Sequence, residues 1–479
     1  MDFNSFDFAV FLPIVFLAYW FLSFKNRWAQ NSILLVASYI FYGYWDWRFL
    51  ILILGSSVLD FFLAWAIGTR EKKKSKRWLV GISLFVNLGL LAVFKYYNFF
   101  IDSFQDTFRL FGADLDSWTL YIILPVGISF YTFQTISYSI DVSRGTIKHT
   151  KDPISFLSYV SFFPQLVAGP IERASNLLPQ FLKARKFDYE FARAGLQQIL
   201  WGLFKKIVVA DNCAFYANQI FNNPSDYTSW DLVMGTIFFS FQIYCDFSGY
   251  SDIAIGTSKL FGIKLKTNFA FPYFSRDIAE FWRRWHISLT TWFRDYIYIP
   301  MGGNRVKKWR QVLNVLIVFL ISGLWHGPNW TFIAWGAFNA LLFVPILLFN
   351  LNRVHIEPIR YRGIGRMFGE IGFILITFFL CANAWVIFRA NTIESAVDYY
   401  ASMYSDLFNF SLHSTFGQDV IWFIIIMLVF EWFGRKKEHG LSFKRVNWAL
   451  PLRWATYLVL IALIFLYTGE QQVFLYFQF

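Results

Sequence analysis

The sequence FSRDIAEFWRRWHISLTTWFRDYIYIPMGGNR, at residues 274–305, is followed by an apolar run and then by ISGLWHG at residues 321–327. These stretches contain His286 and His326, two of the six histidines of the chain. His286 lies among charged and indole side chains, whereas His326 lies within a long apolar stretch. An ionisable residue at membrane depth is costly and therefore marks a candidate functional site. We predict that the two histidines form a chemical centre at a pore through a bilayer.

The composition is typical of a membrane protein. Of the 479 residues, 57% are hydrophobic and 15% are charged, whereas a typical soluble domain carries about 25% charged residues. The apolar residues fall in blocks of about 20, the length that spans the core of a bilayer. The sequence therefore predicts an all-α polytopic membrane protein. The net charge of +12 is attributed to cytoplasmic loops, and no nucleic-acid partner is expected.

Basic loops determine the predicted orientation. The charge run from Arg70 to Arg77 is placed on the cytoplasmic side, because short loops rich in Lys and Arg stay there. Three crossings before it put the N-terminus outside, and the acidic N-terminal segment is interpreted as the lead into the first span, not as a cleaved signal peptide. The alternating charge of the later loops predicts about 12 crossings in all and places the C-terminal tail, residues 468–479, outside.

Two segments are predicted not to be simple crossings. Residues 156–171 have basic residues on both sides and contain Pro164, Gly169 and Pro170, which favours a re-entrant segment. Residues 267–310 are aromatic and basic, which favours interfacial or partly inserted helices. The apolar tract 312–350 is broken at Gly327-Pro328-Asn329 and is long enough for two crossings. Residues 1–479 are expected to form a single integral membrane domain, with its core motifs at 156–345.

Each histidine has two interpretations that the residues leave open. His326 is either a core histidine bonded to a neighbouring helix or a general base, since its ordinary pKa suits proton transfer near neutral pH. For His286 we expect a helix on which it shares a face with Trp282 and Arg283, either as an interfacial belt or as part of a site. The arginines of this stretch are candidates for holding a phosphate or an anionic acyl carrier by bidentate contact, namely Arg283, Arg284 and Arg294.

Other polar and reactive residues are sparse. Asp246 and Asp252 end an otherwise apolar span, and their carboxylates are predicted either to orient a histidine or to pair with Arg283 or Arg284. Small residues nearby favour close helix packing. The cysteines are interpreted as small apolar core residues, and no metal site is expected because no ligands of suitable spacing surround the histidines. The cysteines concerned are Cys213, Cys245 and Cys381.

The C-terminal tail is unusually aromatic, with four aromatic side chains in the last six residues. It forms either an aromatic belt at the membrane interface or a segment that folds into the pore from outside. In the second case the hydroxyl group of Tyr476 is a candidate nucleophile if a base activates it.

Several of these motifs together resemble the membrane-bound O-acyltransferase (MBOAT) family. The resemblance rests on FWRRWHISLTTWFRDYIYIPMGGNR, on CDFSGYSDIAIG before it, on SGLWHG after it and on FFPQLVAGPIER at 162–173. It is closest to the bacterial branch that contains the membrane subunits of alginate O-acetylation, peptidoglycan O-acetylation and teichoic-acid D-alanylation. It implies a ring of helices around a central funnel that joins the cytoplasm to the outer face, with the histidines at its neck.

The resemblance also implies roles for particular residues. His326 is implied as the catalytic histidine and His286 as the second histidine of the active site. The tail is similar to a Phe-x-Tyr-Phe-x-Phe motif of this branch, which implies that Tyr476 carries the acyl group as an ester; Leu475 stands where Ile is more usual. Donor binding is expected of a further group, namely Arg283, Arg284, Trp285, Asp246 and Trp325.

The implied activity is the transfer of a small acyl group for O-acylation of an extracellular or cell-wall polysaccharide. The group is expected to be acetyl, since residues 302–305 resemble the acetyl-transfer members. The donor is expected to be a cytoplasmic thioester such as acetyl-CoA. No bound cofactor is expected. The resemblance also implies that the protein lies in the inner membrane of a bacterium and has an extracytoplasmic acyltransferase partner of SGNH type or similar. The open alternatives are D-alanyl transfer from a carrier protein to teichoic acid, acylation of a lipid or protein, and a transporter or scaffold without chemistry.

Overall fold

The computed structural model describes residues 1–23, 26–112, 118–167, 169–356, 364–408, 417–442, 449–468, 472 and 474–475, with only the backbone of 364–366 and 418. No strand occurs among these residues, which confirms the prediction of an all-α polytopic protein. The α-helices are α1 (Phe6–Leu17), α2 (Arg27–Asp46), α3 (Leu50–Thr69), α4 (Lys73–Leu91), α5 (Tyr97–Leu110), α6 (Ile128–Arg144), α7 (Pro153–Ser161), α8 (Phe163–Leu166), α9 (Ala174–Phe181), α10 (Tyr189–Leu203), α11 (Asp211–Asn222), α12 (Ser229–Leu260), α13 (Ile278–Arg284), α14 (Ile287–Phe293), α15 (Lys308–His326), α16 (Trp330–Leu348), α17 (Ile364–Arg389), α18 (Ile393–Ser405), α19 (Gln418–Gly434) and α20 (Leu450–Leu466).

Short π-helical and 3₁₀ segments lie next to several of these helices. The π-helical ones are Ala18–Leu22, Ala92–Tyr96, Phe204–Ala210 and Arg294–Tyr298, and the 3₁₀ ones are Trp47–Phe49, Pro224–Asp226, Pro272–Phe274 and Gly303–Arg305. π-Helical turns are rare and occur frequently at functional sites. Two of these π-helical segments contain residues of the candidate site described below.

Five helical stretches of the described chain are long and apolar enough to cross a bilayer. They are Arg27–Thr69, Lys73–Leu110, Lys308–His326, Trp330–Leu348 and Met367–Arg389. The first contains α2 and α3, each of 20 residues and so each long enough to span. The helices α15 and α16 confirm the two helices predicted on either side of Gly327-Pro328-Asn329. The total of 12 crossings and the ring around a funnel stay predictions.

The described chain divides into two compact units, the first of which comprises Met1–Gly195 with Ala254–Lys266. Its buried Asp60 on α3 accepts hydrogen bonds from Ser83 and Asn87 of α4, the latter at 2.7 Å, so a carboxylate joins two apolar helices. Such polar contacts between helices hold membrane bundles together where lipid gives no hydrophobic driving force. The prediction of one domain over 1–479 stays a prediction.

The segment predicted to be re-entrant is a broken helix inside the first unit. The helix α7 ends at Ser161, and α8 begins at Phe163 with Pro164 in its first turn. Phe162 between them has a ψ of 106°, which interrupts the helical backbone. The surrounding aromatic side chains are buried, which satisfies the condition that non-helical backbone at membrane depth be covered by protein.

The second unit comprises Leu196–Ile253 with Thr267–Phe479 and contains both histidines of interest. Its helices α15 and α16 pack closely because glycines face the opposite backbone. A Cβ atom on Gly323 would lie under 3.0 Å from the carbonyl oxygen of Phe332, and one on Gly336 equally close to that of Phe319. Small residues that let backbones approach are the usual basis of helix pairs in membranes. The pairing fixes the end of α15, where His326 lies.

Candidate active site

His286 lies in a break between two short helices. The side chain of Asp277 caps α13 by accepting a hydrogen bond from the Glu280 amide at 2.6 Å, and the helix ends at Arg284. His286 itself has a left-handed backbone with a φ of 42° and precedes α14. The expectation that His286 shares a helix face with Trp282 and Arg283 is therefore wrong, because the helix has ended before His286. A left-handed conformation costs a residue with a Cβ about 1–2 kcal/mol and is concentrated at functional sites.

Asn268 holds the imidazole ring of His286. Its Oδ1 lies 3.1 Å from Nδ1 of His286 and accepts a hydrogen bond from the Ser288 hydroxyl at 2.8 Å. Its Nδ2 donates to the Ser251 hydroxyl at 3.1 Å, which fixes the orientation of the amide. Because the amide oxygen only accepts, Nδ1 of His286 carries the proton and Nε2 is the basic nitrogen. Asn268 was not singled out in the sequence.

The site is dry enough to keep His286 neutral. The side chain is 1% exposed, and burial lowers the pKa of His286 from its usual 6.5 to about 3. Removing a charged imidazolium from water disfavours the charged form, which is the physical cause of this shift. At neutral pH His286 is therefore uncharged, with its lone pair on Nε2.

His326 is the last residue of α15 and is buried. Its ring is packed edge-on against three aromatic rings, with centroid distances of 5.0 Å to Trp325, 5.1 Å to Trp335 and 5.3 Å to Phe388. The Trp325 ring also lies 6.0 Å from that of His286, so it contacts both histidines. Aromatic walls of this kind exclude water and hold both imidazole rings in place.

Both histidines line one cavity of about 250 Å³. The walls are mainly apolar and aromatic, and they include Trp282, Trp285 and Phe319. A largely apolar cleft with a few convergent polar groups is the usual form of a small-molecule site. Two imidazole groups at one cavity favour proton transfer or nucleophile activation as its chemistry.

The three arginines predicted to bind a donor lie in different surroundings, and only one of them lines the cavity. Arg283 donates to the carbonyl oxygens of Asn352 at 2.8 Å and His355 at 3.1 Å. Arg284 pairs with Glu280 at 2.6 Å. Neither lies on the cavity wall, whereas Arg294, at the start of a π-helical segment, does.

The two predicted carboxylates pair with lysines. Asp246 lies 2.7 Å from Nζ of Lys206, and Asp252 lies 2.7 Å from Nζ of Lys205. The expectation that they pair with Arg283 or Arg284 is therefore wrong. Both lysines lie in the π-helical segment Phe204–Ala210. Two adjacent lysines in an apolar run were a signal of function in the sequence, since charges at membrane depth are rarely incidental.

Part of the C-terminal tail lies in the second unit. Phe474 and Leu475 are buried, and the Leu475 amide donates to Oδ2 of Asp246 at 2.7 Å. Tyr476, the predicted nucleophile, lies outside the described residues. The three cysteines are buried and free, as predicted for core residues.

Comparison with known proteins identifies the family. The model of the membrane-bound O-acyltransferase family matches residues 142–383. The chain is 37% identical to the probable alginate O-acetylase AlgI of Pseudomonas aeruginosa, over 90% of this chain and 81% of that protein. It is 34% identical to the peptidoglycan O-acetyltransferase of Helicobacter pylori, over 98% of this chain and 95% of that protein. It is 31% identical to the teichoic acid D-alanyltransferase of Streptococcus thermophilus, over 45% of this chain and 55% of that protein. The chain is thus a multi-pass membrane acyltransferase that belongs to the membrane-bound O-acyltransferase family.

Proposed function

We propose that the protein transfers acetyl groups from a cytoplasmic thioester, such as acetyl-CoA, across the inner membrane of a bacterium for O-acylation of a polysaccharide. The support is that the relatives named as O-acetylases match over most of the chain, whereas the D-alanyltransferase matches over less than half of it. An extracytoplasmic acyltransferase partner, of SGNH type or similar, then moves the group to the polymer.

The observation that carries the proposal is that His286 and His326 line the same apolar cavity. In the proposed reaction, His326 accepts the proton of the Tyr476 hydroxyl group, and the tyrosyl oxygen attacks the thioester carbonyl carbon. The C–S bond breaks, the thiolate takes the proton back from His326, and the acetyl group stays on Tyr476 as an ester. His286 assists by accepting a hydrogen bond at Nε2, which its contact with Asn268 leaves as the basic nitrogen.

Donor binding is assigned to the cavity wall. We propose that Trp285 packs against the acyl arm and that Arg294 pairs with a phosphate group of the donor. Roles of Arg283 and Arg284 in donor binding stay proposals. Both guanidinium groups bond to protein atoms, as does that of Arg294, which pairs with Asp295 at 2.7 Å and lies on the cavity wall. Trp325 is proposed to fix the separation of the two imidazole rings.

The test is an O-acetylation assay in membranes that contain the full-length protein and its polymer-modifying partner. His326→Ala is expected to lower transfer by about 10²–10⁴-fold, the usual contribution of a general base. His355→Ala is the matched control, because His355 is a half-buried histidine that does not line the cavity. Full transfer by a membrane-inserted His326→Ala protein would disprove the proposed role of His326.

D-Alanyl transfer from a carrier protein is the second candidate, favoured by the match to a teichoic acid D-alanyltransferase. Offering the purified protein acetyl-CoA and a D-alanyl carrier in separate reactions distinguishes the two. The acetyl proposal requires turnover with the first donor and none with the second.

A further inference from the structure

Lys206 is a buried cation with three oxygen partners. Its side chain is 1% exposed, and Nζ lies 2.7 Å from both Asp211 Oδ1 and Asp246 Oδ1. It also donates to the main-chain carbonyl oxygen of Gln472 at 3.1 Å. The last contact joins the ion pair to the C-terminal tail, 266 residues away in sequence.

Asp246 completes the contact with the tail. One carboxylate oxygen faces Lys206, while the other accepts a hydrogen bond from the Leu475 amide at 2.7 Å. The lysine and the aspartate therefore hold a tail carbonyl and a tail amide three residues apart. Both contacts involve the main chain, so they hold the tail at these two positions independently of its side chains.

Aromatic contacts connect the held tail to the histidine site. The Phe474 ring lies 4.2 Å from that of Tyr250 and 6.0 Å from that of Phe247. The Phe247 ring in turn lies edge-on to His286 at 4.7 Å. A single aromatic ring thus separates the tail from a histidine of the cavity.

We propose that Lys206 and Asp246 are positioning residues that hold the main chain at Gln472 and at Leu475 so that the residue after Leu475, Tyr476, enters the reaction. The inference rests on the proposed function of Tyr476 as the acyl acceptor. Consecutive Cα atoms are about 3.8 Å apart, so a residue that follows a fixed amide has less space to search. Such confinement raises the rate by avoiding the entropy cost of bringing the nucleophile to the thioester.

A second buried pair provides a matched control. Lys205 and Asp252 are 2.7 Å apart and join the same two helical segments as Lys206 and Asp246. The second polar contact of Lys205 is with Ser248 at 2.9 Å, and that of Asp252 is with Gln198. Breaking either pair leaves a buried charge and destabilises the protein, but only breaking the first is expected to release the tail.

The experiment measures hydrogen–deuterium exchange of the C-terminal peptide in the full-length protein, together with the kcat and KM of acetyl transfer. Lys206→Met and Asp246→Asn are expected to speed exchange of the tail amides roughly 10- to 100-fold, the effect of losing a charge-assisted hydrogen bond. The same variants are expected to lower kcat with little change in the KM for the donor. Lys205→Met and Asp252→Asn should leave tail exchange as in the wild type.

Two variants of one tail residue leave both ion pairs intact and share the loss of the same side chain. Leu475→Pro removes the amide that donates to Asp246, whereas Leu475→Ala retains it. The proline variant is expected to exchange faster and to transfer more slowly than the alanine variant. Equal behaviour of the two, or unchanged tail exchange in Lys206→Met and Asp246→Asn, overturns the inference.

A separate variant distinguishes failure of the inference from failure of the proposed function. Tyr476→Phe should abolish acetyl transfer while leaving tail exchange unchanged. If Tyr476→Phe retains transfer, the proposed function of Tyr476 fails, and with it the inference that the tail is held for the sake of Tyr476.

Discussion

Replacing Asn268 with alanine should impair catalysis more than it impairs folding. Asn268 is fully buried and holds Nδ1 of His286 at 3.1 Å. Without it, the imidazole ring loses its fixed tautomer, and the basic nitrogen is no longer confined to Nε2. Replacing a residue that hydrogen-bonds the second ring nitrogen of a functional histidine typically lowers activity 10- to 100-fold, as measured at metal sites.

The structure allows the magnitude to be estimated. Losing one buried hydrogen bond costs about 1–3 kcal/mol when the partner stays unsatisfied, which is about 5- to 150-fold in rate if the loss falls on the transition state. Ser288 moderates this loss, because its hydroxyl lies 3.5 Å from Nδ1 of His286 and can take over as acceptor. We therefore expect Asn268→Ala to lower kcat about 10- to 30-fold.

The assay compares acetyl transfer and thermal stability in detergent for Asn268→Ala and Ser251→Ala. The second variant removes the hydrogen bond that Nδ2 of the same amide donates, at 3.1 Å, and leaves the contact between Asn268 Oδ1 and His286 in place. It should cost similar stability but less than threefold in kcat. Equal loss of kcat in the two variants would refute the idea that Asn268 acts through His286.

The geometry of the site and of the helix pair leads to three further predictions. The pKa of His286 is lowered to about 3 on folding, so the unfolded chain binds a proton at a higher pH than the folded chain does. The contribution of neutral His286 to the free energy of unfolding is therefore fully present above pH 6.5 and is lost as the pH falls towards 3. At pH 5 the loss is about 2 kcal/mol. Thermal unfolding at pH 7 and at pH 5 measures this loss of stability. His286→Asn, in which the new residue tolerates the left-handed backbone, should lose less stability between the two pH values than the wild type. Gly323→Ala should separate α15 from α16 and lower both melting temperature and kcat, since its Cβ would meet the carbonyl oxygen of Phe332; Gly55→Ala, where a Cβ meets nothing within 4 Å, is the control. Arg294→Ala should raise the KM for acetyl-CoA about tenfold with kcat retained, as expected for loss of a phosphate contact. Arg310→Ala is the control and should leave this KM unchanged, because Arg310 does not line the cavity.

The helices and the two histidines could be predicted because their signals are local. Apolar blocks of about 20 residues predict spans without any knowledge of their neighbours. A Gly-Pro pair marks the end of a helix, so the sequence places His326 at the end of α15, as the structure has it. The resemblance of the motifs around His286 identified the family, which the comparisons confirm.

The surroundings of the histidines could not be predicted, because they depend on contacts between distant residues. Asn268 precedes His286 by 18 residues and reaches it only because His286 interrupts the helix with a left-handed backbone. Periodicity assumes a continuous helix, whereas α13 ends before His286. Trp282 still lines the cavity together with His286, but Arg283 does not. The same break leaves Arg294, and not Arg283, on the cavity wall.

The ion pairs show the same limit of sequence reasoning. The Asp246 carboxylate stands out in the sequence at the end of an apolar span, but its partner Lys206 lies 40 residues earlier on another helical segment. Charge alone does not say which of several cations a carboxylate meets. The two adjacent lysines in an apolar stretch did carry information, since a buried cation needs a partner.

The most direct test of acetyl transfer through Tyr476 is peptide mass spectrometry of the purified full-length protein after incubation with acetyl-CoA. We expect an acetyl ester on the C-terminal peptide at Tyr476, absent from His326→Ala and present in His355→Ala. An unmodified tail in a preparation that O-acetylates polymer would contradict it, because the acetyl group would then cross without passing through Tyr476.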